Sequence, residues 1–366
     1  MVNEMRVVFR VDASLNIGTG HVMRCLALAH ALTDKGVRCD FICREHPGNL
    51  VGLIRDSGYV VYTLPTNRDH DVHFSHSTWL GSTQEQDFQG CVPILKLLKP
   101  DWIVADHYAL DARWEHAISF HCRKLMVIDD LADRPHECEL LLDQTYGREP
   151  QHYRKLVPTG CPLLCGSQYA LLRHEFSALR DYSLRRRGSR VVSELLVSMG
   201  GVDITNTSCA VLQSLRATSL PAACRITVVM GQTAPWLYEV QEKAANMPWS
   251  TRVLVGVRDM AQLMADSDLA IGAAGSTTWE RCCLGLPSAL LVVADNQRYA
   301  AQLLARTQAV HIIDGGSQLG ASIVRFIDDM INGNGQLEKS CLSASCVTDG
   351  HGCEKVTKYL LSIGSK

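Results

Sequence analysis

The sequence predicts an α/β protein made of two doubly wound domains, each built on a parallel sheet. Three observations lead there: short β-branched runs alternate with helical patterns, the alternation starts again after an irregular stretch, and glycine-rich loops stand where strands give way to helices. At 366 residues, with 46% hydrophobic and 20% charged residues, the chain has apolar surface for two conventional cores.

The first series runs "MRVVFRV" (5–11), a helix over about 21–35, "RCDFIC" (38–43), a helix near 48–57 and "YVVYTL" (59–64). It continues with "DWIVAD" (101–106), a helix over about 111–121 and "KLMVIDD" (124–130), strands that end in acidic or polar residues along one sheet edge. Residues 145–190 are less regular. The second series is "ELLVSMGG" (194–201), "RITVVMG" (225–231), "TRVLVGV" (251–257), "LAIGAAG" (269–275) and "SALLVV" (288–293), with a last helix near 352–362. Ligands of open α/β sheets bind outside the carboxyl ends of the strands, so the expected site is a cleft between two such domains facing each other.

Composition narrows the function. A net charge of -2 and a pI near 6.7 give no basic footprint for nucleic acid, and "RRRGSR" (185–190) reads as a solvated linker run. The N-terminus lacks a basic region followed by a long apolar one, and no stretch reaches the ~20 apolar residues that span a bilayer. A cytoplasmic protein with no membrane partner is expected, and no obligate protein partner is evident. Fifteen cysteines without a repeated C-x-x-C pattern read as reduced, buried small hydrophobes. Histidines 70, 73 and 76 in "DHDVHFSH" read as a solvated loop and not a metal site, and no cofactor is expected. Neither the P-loop lysine signature nor a G-x-S-x-G elbow is present, which removes the commonest kinase and serine-hydrolase readings.

Three loops carry chemistry. In "NIGTGHVMR", Gly18 and Gly20 permit a tight turn, and the following helix offers unpaired N–H groups to an anion. A third dinucleotide-fingerprint glycine is missing. His21, at the helix N-terminus, is favoured in its neutral form and suits a general base; the alternative is a local capping role. Asp12, at the end of the first strand, could orient that ring or the substrate, or simply cap the turn. In "GGVD" (200–203) and "GAAGSTTWE" (272–280), Gly200, Gly201 and Gly275 give a diphosphate access to backbone N–H groups without a metal. Ser276 and Thr277 stand at a helix start and Glu280 in its first turn, where its carboxylate can accept ribose hydroxyls or close a capping box.

The motifs "FRVDASLNIGTGHVMRCLALA", "WLGSTQEQD", "ADHYALD", "VIDDLADRPHECELLLDQ", "YALLRHEF", "SMGGVDITN", "GAAGSTTWERCCLGLPSALLVVADNQ" and "DGHGCEKV" fall in order between residue 9 and about 356. Together they resemble the UDP-2,4-diacetamido-2,4,6-trideoxy-β-L-altropyranose hydrolases of pseudaminic acid biosynthesis. That resemblance implies the GT-B fold, two Rossmann-like domains with the active site between them, related to the transferase that adds N-acetylglucosamine to the lipid-linked peptidoglycan precursor. It divides the chain into a sugar and catalytic domain (1–165), a connecting region (166–190) and a UDP-binding domain (191–366). The implied reaction is metal-independent, inverting hydrolysis at the anomeric carbon with His21 as base. Tyr108 matches a cleft tyrosine that could place water or pack the wall. Glu280 matches a ribose-binding glutamate, Asn296 and Gln297 fall at nucleotide-sugar contacts, and Arg173 is a further substrate candidate. The cysteine-rich tail over 341–353 departs from the family pattern. The rival readings are a GT-B glycosyltransferase, for which no apolar and basic acceptor patch lies near the first loop, and a nucleotide-sugar binding protein without catalysis.

Overall fold

The computed structural model describes residues 5–67, 71, 76–187, 192–292 and 295–364. Thirteen strands form two sheets in which every pairing is parallel. The first sheet contains β1 (Arg6–Val11), β2 (Arg38–Arg44), β3 (Val60–Leu64), β4 (Trp102–Asp106), β5 (Lys124–Ile128), β6 (Leu140–Asp143) and β7 (Leu163–Cys165), in the order β3-β2-β1-β4-β5-β6-β7. The second contains β8 (Glu194–Ser198), β9 (Arg225–Met230), β10 (Ser250–Val255), β11 (Leu269–Ala273), β12 (Ser288–Leu291) and β13 (His311–Ile313), in the order β10-β9-β8-β11-β12-β13. Chain direction across each sheet reverses beside its first strand, so the crevices lie at the ends of β1 and β4 and of β8 and β11.

Burial on both faces explains why the central strands read as continuous apolar runs. Val7, Phe9 and Val11 of β1 enter one core with helix Gly20–Thr33, while Val8 packs into the core on the opposite face with Ile103 and Trp114. Strands β6 and β7 were not separated from loop by the sequence pattern. They are four and three residues long, too short to show a period, and their apolar residues alternate between the two faces: Leu140, Leu142 and Leu164 on one, Leu141 and Cys165 on the other.

Two compact units result, residues 1–173 with 351–366, and 174–350. The last helix, Gly352–Gly364, therefore belongs to the N-terminal unit, whereas the sequence reading grouped it with residues 191–366. Cys353, Val356 and Leu360 form its apolar stripe and join the core containing Val22 and Leu28. At its start Gly352 lies so close to the carbonyl oxygen of Ala170 that a side chain would collide. A stripe at helical spacing announces a packed face without saying which core receives it.

Among the described residues no helix is long and apolar enough to cross a membrane. All fifteen cysteines are free, eleven of them buried, in keeping with their reading as small hydrophobes.

Candidate active site

In the N-terminal unit the β1–β4 register sets Val11 opposite Asp106, so the loops after both strands leave the sheet side by side. The loop after β1 turns tightly: Gly18, at φ 80°, donates its N–H to the carbonyl of Ser14, and Gly20 opens helix Gly20–Thr33 with no side-chain cap. His21 follows in the first turn. Its Nδ1 lies 2.8 Å from Oδ1 of Asp106 and 3.3 Å from that residue's carbonyl oxygen. An imidazole that donates from Nδ1 keeps its lone pair on Nε2, the atom left to accept a proton.

Asp106 is fully buried, and burial opposes its charge. The charges and hydrogen bonds of Arg24 and His21 together outweigh that effect and hold the carboxyl below the usual carboxylate range. Arg24 grips Asp106 through Nε and Nη2, both at 2.7 Å, and reaches Asp130 from Nη1 at 2.5 Å. Tyr108 is 5% exposed; its hydroxyl donates to Asp130 at 2.7 Å and its ring meets the His21 ring edge-on with centroids 4.5 Å apart. Tyr108 thus flanks the histidine with its hydroxyl already engaged.

Asp12 does not orient the His21 ring; Asp106 does. Asp12 accepts Nη1 of Arg10 at 2.7 Å and the backbone N–H of Arg44 at 2.6 Å, and its Oδ2 faces Nε2 of His107 at 3.3 Å and of His46 at 3.6 Å. Nδ1 of His107 accepts the N–H of Ala109 at 3.0 Å, so its proton sits on Nε2, pointing at Asp12. Oδ2 of Asp12 and the two imidazole Nε2 atoms nevertheless make no formed hydrogen bond, so this is a buried charge–imidazole contact. Among the described residues no group of three or more His, Cys, Asp or Glu could hold a metal. Behind Asp12, Asp87 receives Arg10 at 3.1 and 2.5 Å, Arg44 at 2.6 Å and the Trp114 indole at 3.1 Å. Asp87 comes from "WLGSTQEQD", where Thr83 and Gln86 form a capping box for helix Gln84–Leu98.

Asp106 was legible in one respect: it is the acidic end of a strand read from the pattern, along the sheet edge where the strand ends line up; its place beside the β1 loop comes from the register. Asp130 carried the same signal, as the acidic end of "KLMVIDD", whereas Arg24 carried none, and only the folded register brings residues 24, 106 and 130 together.

In the C-terminal unit the β8–β11 register sets Ser198 opposite Gly272, which brings both glycine loops to one crevice. Gly200 is left-handed at φ 85°, and a Cβ at Gly231 would collide with the carbonyl oxygen of Gly201. Gly275 faces open space. Behind it lies Arg281, fully buried, its guanidinium donating to the carbonyl of Ala273 at 2.9 Å and to the Thr277 hydroxyl at 3.1 Å. Burial lowers the pKa of Arg281 to about 10. A Cβ on Gly272 would fall 2.6 Å from this guanidinium and 2.9 Å from the Ser198 carbonyl oxygen. Sequence reasoning missed Arg281, which sits one position past Glu280.

Ser276 precedes helix Thr277–Cys283 without a side-chain capping bond, so the capping-box alternative for Ser276 and Glu280 is not formed. Glu280 is half-buried. In the loop after β8, Asp203 accepts the N–H groups of Thr207 at 2.8 Å and Ser208 at 2.9 Å, so these two donors of the next helix are satisfied within the chain. Gln297 is half-buried in the first turn of helix Asp295–Arg306; the side chain of Asn296 lies outside the described residues. Arg173, half-buried, ends the first segment of the N-terminal unit. Of the three histidines at 70, 73 and 76, the first two lie outside the described residues. His76 departs from its reading as a solvated loop residue: its ring packs edge-on against Trp79 at 4.5 Å.

Two parallel doubly wound sheets with glycine loops at both crevices define the GT-B class. MurG of Acinetobacter baumannii superimposes with a TM-score of 0.70 at 16% identity, over 98% of this chain and 99% of that one. UDP-GlcNAc 2-epimerase of Neisseria meningitidis, bound to UDP-GlcNAc, matches with a TM-score of 0.64 at 11% identity, over 98% of this chain and all of that one (100%). No family model matches the chain. Over 303 residues the chain is 28% identical to the UDP-2,4-diacetamido-2,4,6-trideoxy-β-L-altropyranose hydrolase of Campylobacter jejuni, spanning 82% of this chain and 97% of the relative. It is 23% identical over 330 residues to the spore coat polysaccharide biosynthesis protein SpsG of Bacillus subtilis, spanning 89% of this chain and 86% of that protein. The resemblance read from the motifs thus stands over most of the chain.

Proposed function

We propose that the protein hydrolyses UDP-2,4-diacetamido-2,4,6-trideoxy-β-L-altropyranose to UDP and 2,4-diacetamido-2,4,6-trideoxy-L-altrose, a cytoplasmic step of pseudaminic acid biosynthesis. Similarity to the hydrolase supports the substrate, and the observation that carries the chemistry is the contact of His21 Nδ1 with Asp106 at 2.8 Å. With Nδ1–H donating to Asp106, Nε2 of His21 takes a proton from water as the water oxygen bonds to the anomeric carbon. The bond from that carbon to the diphosphate oxygen breaks with inversion, and its electron pair leaves on UDP. Asp106, kept ionised by Arg24, stabilises the imidazolium that forms. Tyr108 fixes the flank of the ring.

UDP is a good leaving group and needs charge stabilisation more than protonation. In this reading the loops with Gly200, Gly201, Gly275, Ser276 and Thr277 supply backbone donors, Gly18 and Gly20 allow close approach of the sugar, and Glu280 accepts the ribose hydroxyls. Asn296, Gln297 and Arg173 complete the substrate contacts. No step requires a divalent cation. The test is UDP release from the altropyranose substrate, with no acceptor present and excess EDTA. Release under those conditions supports metal-independent hydrolysis. A requirement for an acceptor would favour a GT-B transferase, and loss restored by magnesium would overturn the metal-free step.

A further inference from the structure

We propose that His76 and Trp79 form the surface that reads an acetamido group of the sugar, setting specificity for acylamino sugars over ordinary hexoses; this rests on the reading of the site given above.

The two residues belong to one short turn, with Trp79 in Ser77–Leu80 donating its N–H to the carbonyl of His76 at 2.9 Å. The turn is clamped. Ser77 and Leu80 are buried, and Gly81 closes it in the left-handed region at φ 66°, where a Cβ would fall 2.6 Å from Cε1 of His46. From this turn the Trp79 ring lies nearly parallel to Tyr108, tilted by 27° with centroids 5.9 Å apart. The His76 ring stands edge-on to Tyr108 at 5.5 Å. Since Tyr108 itself touches His21 at 4.5 Å, a continuous aromatic wall runs from the proposed base to Trp79.

The wall carries one polar anomaly. Nδ1 of His76 is buried with no hydrogen-bond partner among the described residues, a condition that proteins seldom leave uncompensated. Burial favours the neutral imidazole, which has one donor and one acceptor nitrogen. An aromatic face takes methyl and C–H groups, while the orphan nitrogen takes an amide N–H or carbonyl. An acetamido group presents both at once; a sugar hydroxyl presents only the polar half. Trp79 and His76 are half-buried, so each keeps surface available to a ligand.

The experiment uses the full chain and compares wild type with His76→Ala, Trp79→Ala and the conservative Trp79→Phe. Hydrolysis is followed with the diacetamido UDP-sugar, and binding is measured by calorimetry for that sugar nucleotide, UDP-glucose and UDP alone. Both alanine variants are expected to lose about ten- to a hundredfold in kcat/KM and in preference for the acetamido sugar over UDP-glucose. UDP affinity and melting temperature should stay unchanged, and Trp79→Phe should keep most of the preference. An unchanged preference in both alanine variants overturns the inference, as does an equal loss of UDP affinity. A wild type that prefers the acetamido sugar but never releases UDP would sink the hydrolase reading alone, because the variants would still have to erase the binding preference.

Discussion

The two crevices share one topology and differ in chemistry. At the ends of β1 and β4 the chain buries charge: Arg10, Asp12, Arg24, Asp106 and His107 are each 5% exposed or less. At the ends of β8 and β11 it places glycine, alanine and serine, with one buried cation, Arg281, beneath the backbone. The first arrangement fixes one imidazole in place and keeps its carboxylate partner ionised. The second leaves room for a ligand to approach the main chain and invests little in side chains. A doubly wound sheet provides only the opening; which task the opening serves depends on the two or three residues at each strand end.

The largest effect expected from this contrast is at Asp106. Asp106→Asn keeps the shape but presents an amide to His21, favouring the wrong tautomer, and kcat should fall by roughly 10⁴-fold. Binding of UDP should be unaffected. A variant with near-normal turnover would show that the charge of the first crevice is structural only.

The second crevice should respond to bulk instead. Gly231→Ala pushes a methyl into the Gly201 carbonyl and should cost about 1–3 kcal/mol in denaturant unfolding, with weakened UDP binding. Unchanged stability and affinity would mean that the close approach of these two loops is not required. Glu280→Ala should weaken UDP binding by about 1–3 kcal/mol, the scale of a hydrogen bond to a charged group. Equal UDP affinity by calorimetry would remove Glu280 from the nucleotide site.

A separate effect, on stability instead of turnover, belongs to a buried charge of the N-terminal unit. Burial works against the charge of His136, but Glu115 at 2.7 Å, with Asp129 adding to it, pushes its pKa up to about 9 from 6.5. A folded pKa above the unfolded one gives stability that is fully present below about 6.5 and is lost as pH rises through about 9. The slope from this one group cannot exceed about 1.4 kcal/mol per pH unit. Melting curves across that window should show it, and His136→Gln should flatten it.

Much of this was readable in the sequence because strand and helix periods, and glycines between them, are local signals. The ten strands read from the pattern are present, and both crevice loops lie where the glycines put them. Local signals fail where long-range pairing decides. Asp12 and Asp106 both end strands, and only the β1–β4 register, with Arg10 and Arg44 occupying Asp12, assigns the imidazole to Asp106. Glu280 and Ser276 carry a capping-box spelling, yet no side-chain cap forms. The apolar stripe of the last helix was visible, while its destination in the N-terminal core was not.

The central claim is that His21 is the base, and its pH–rate profile tests that most directly. General-base removal costs roughly 10²–10⁴-fold in rate, so His21→Asn should lose about that much turnover with UDP affinity intact. Wild-type activity should fall on the acid side as the imidazole takes a proton, and the variant should have no such limb. Near-normal turnover in His21→Asn, with the acid limb still present, would contradict the account and leave His21 as no more than a buried partner of Asp106.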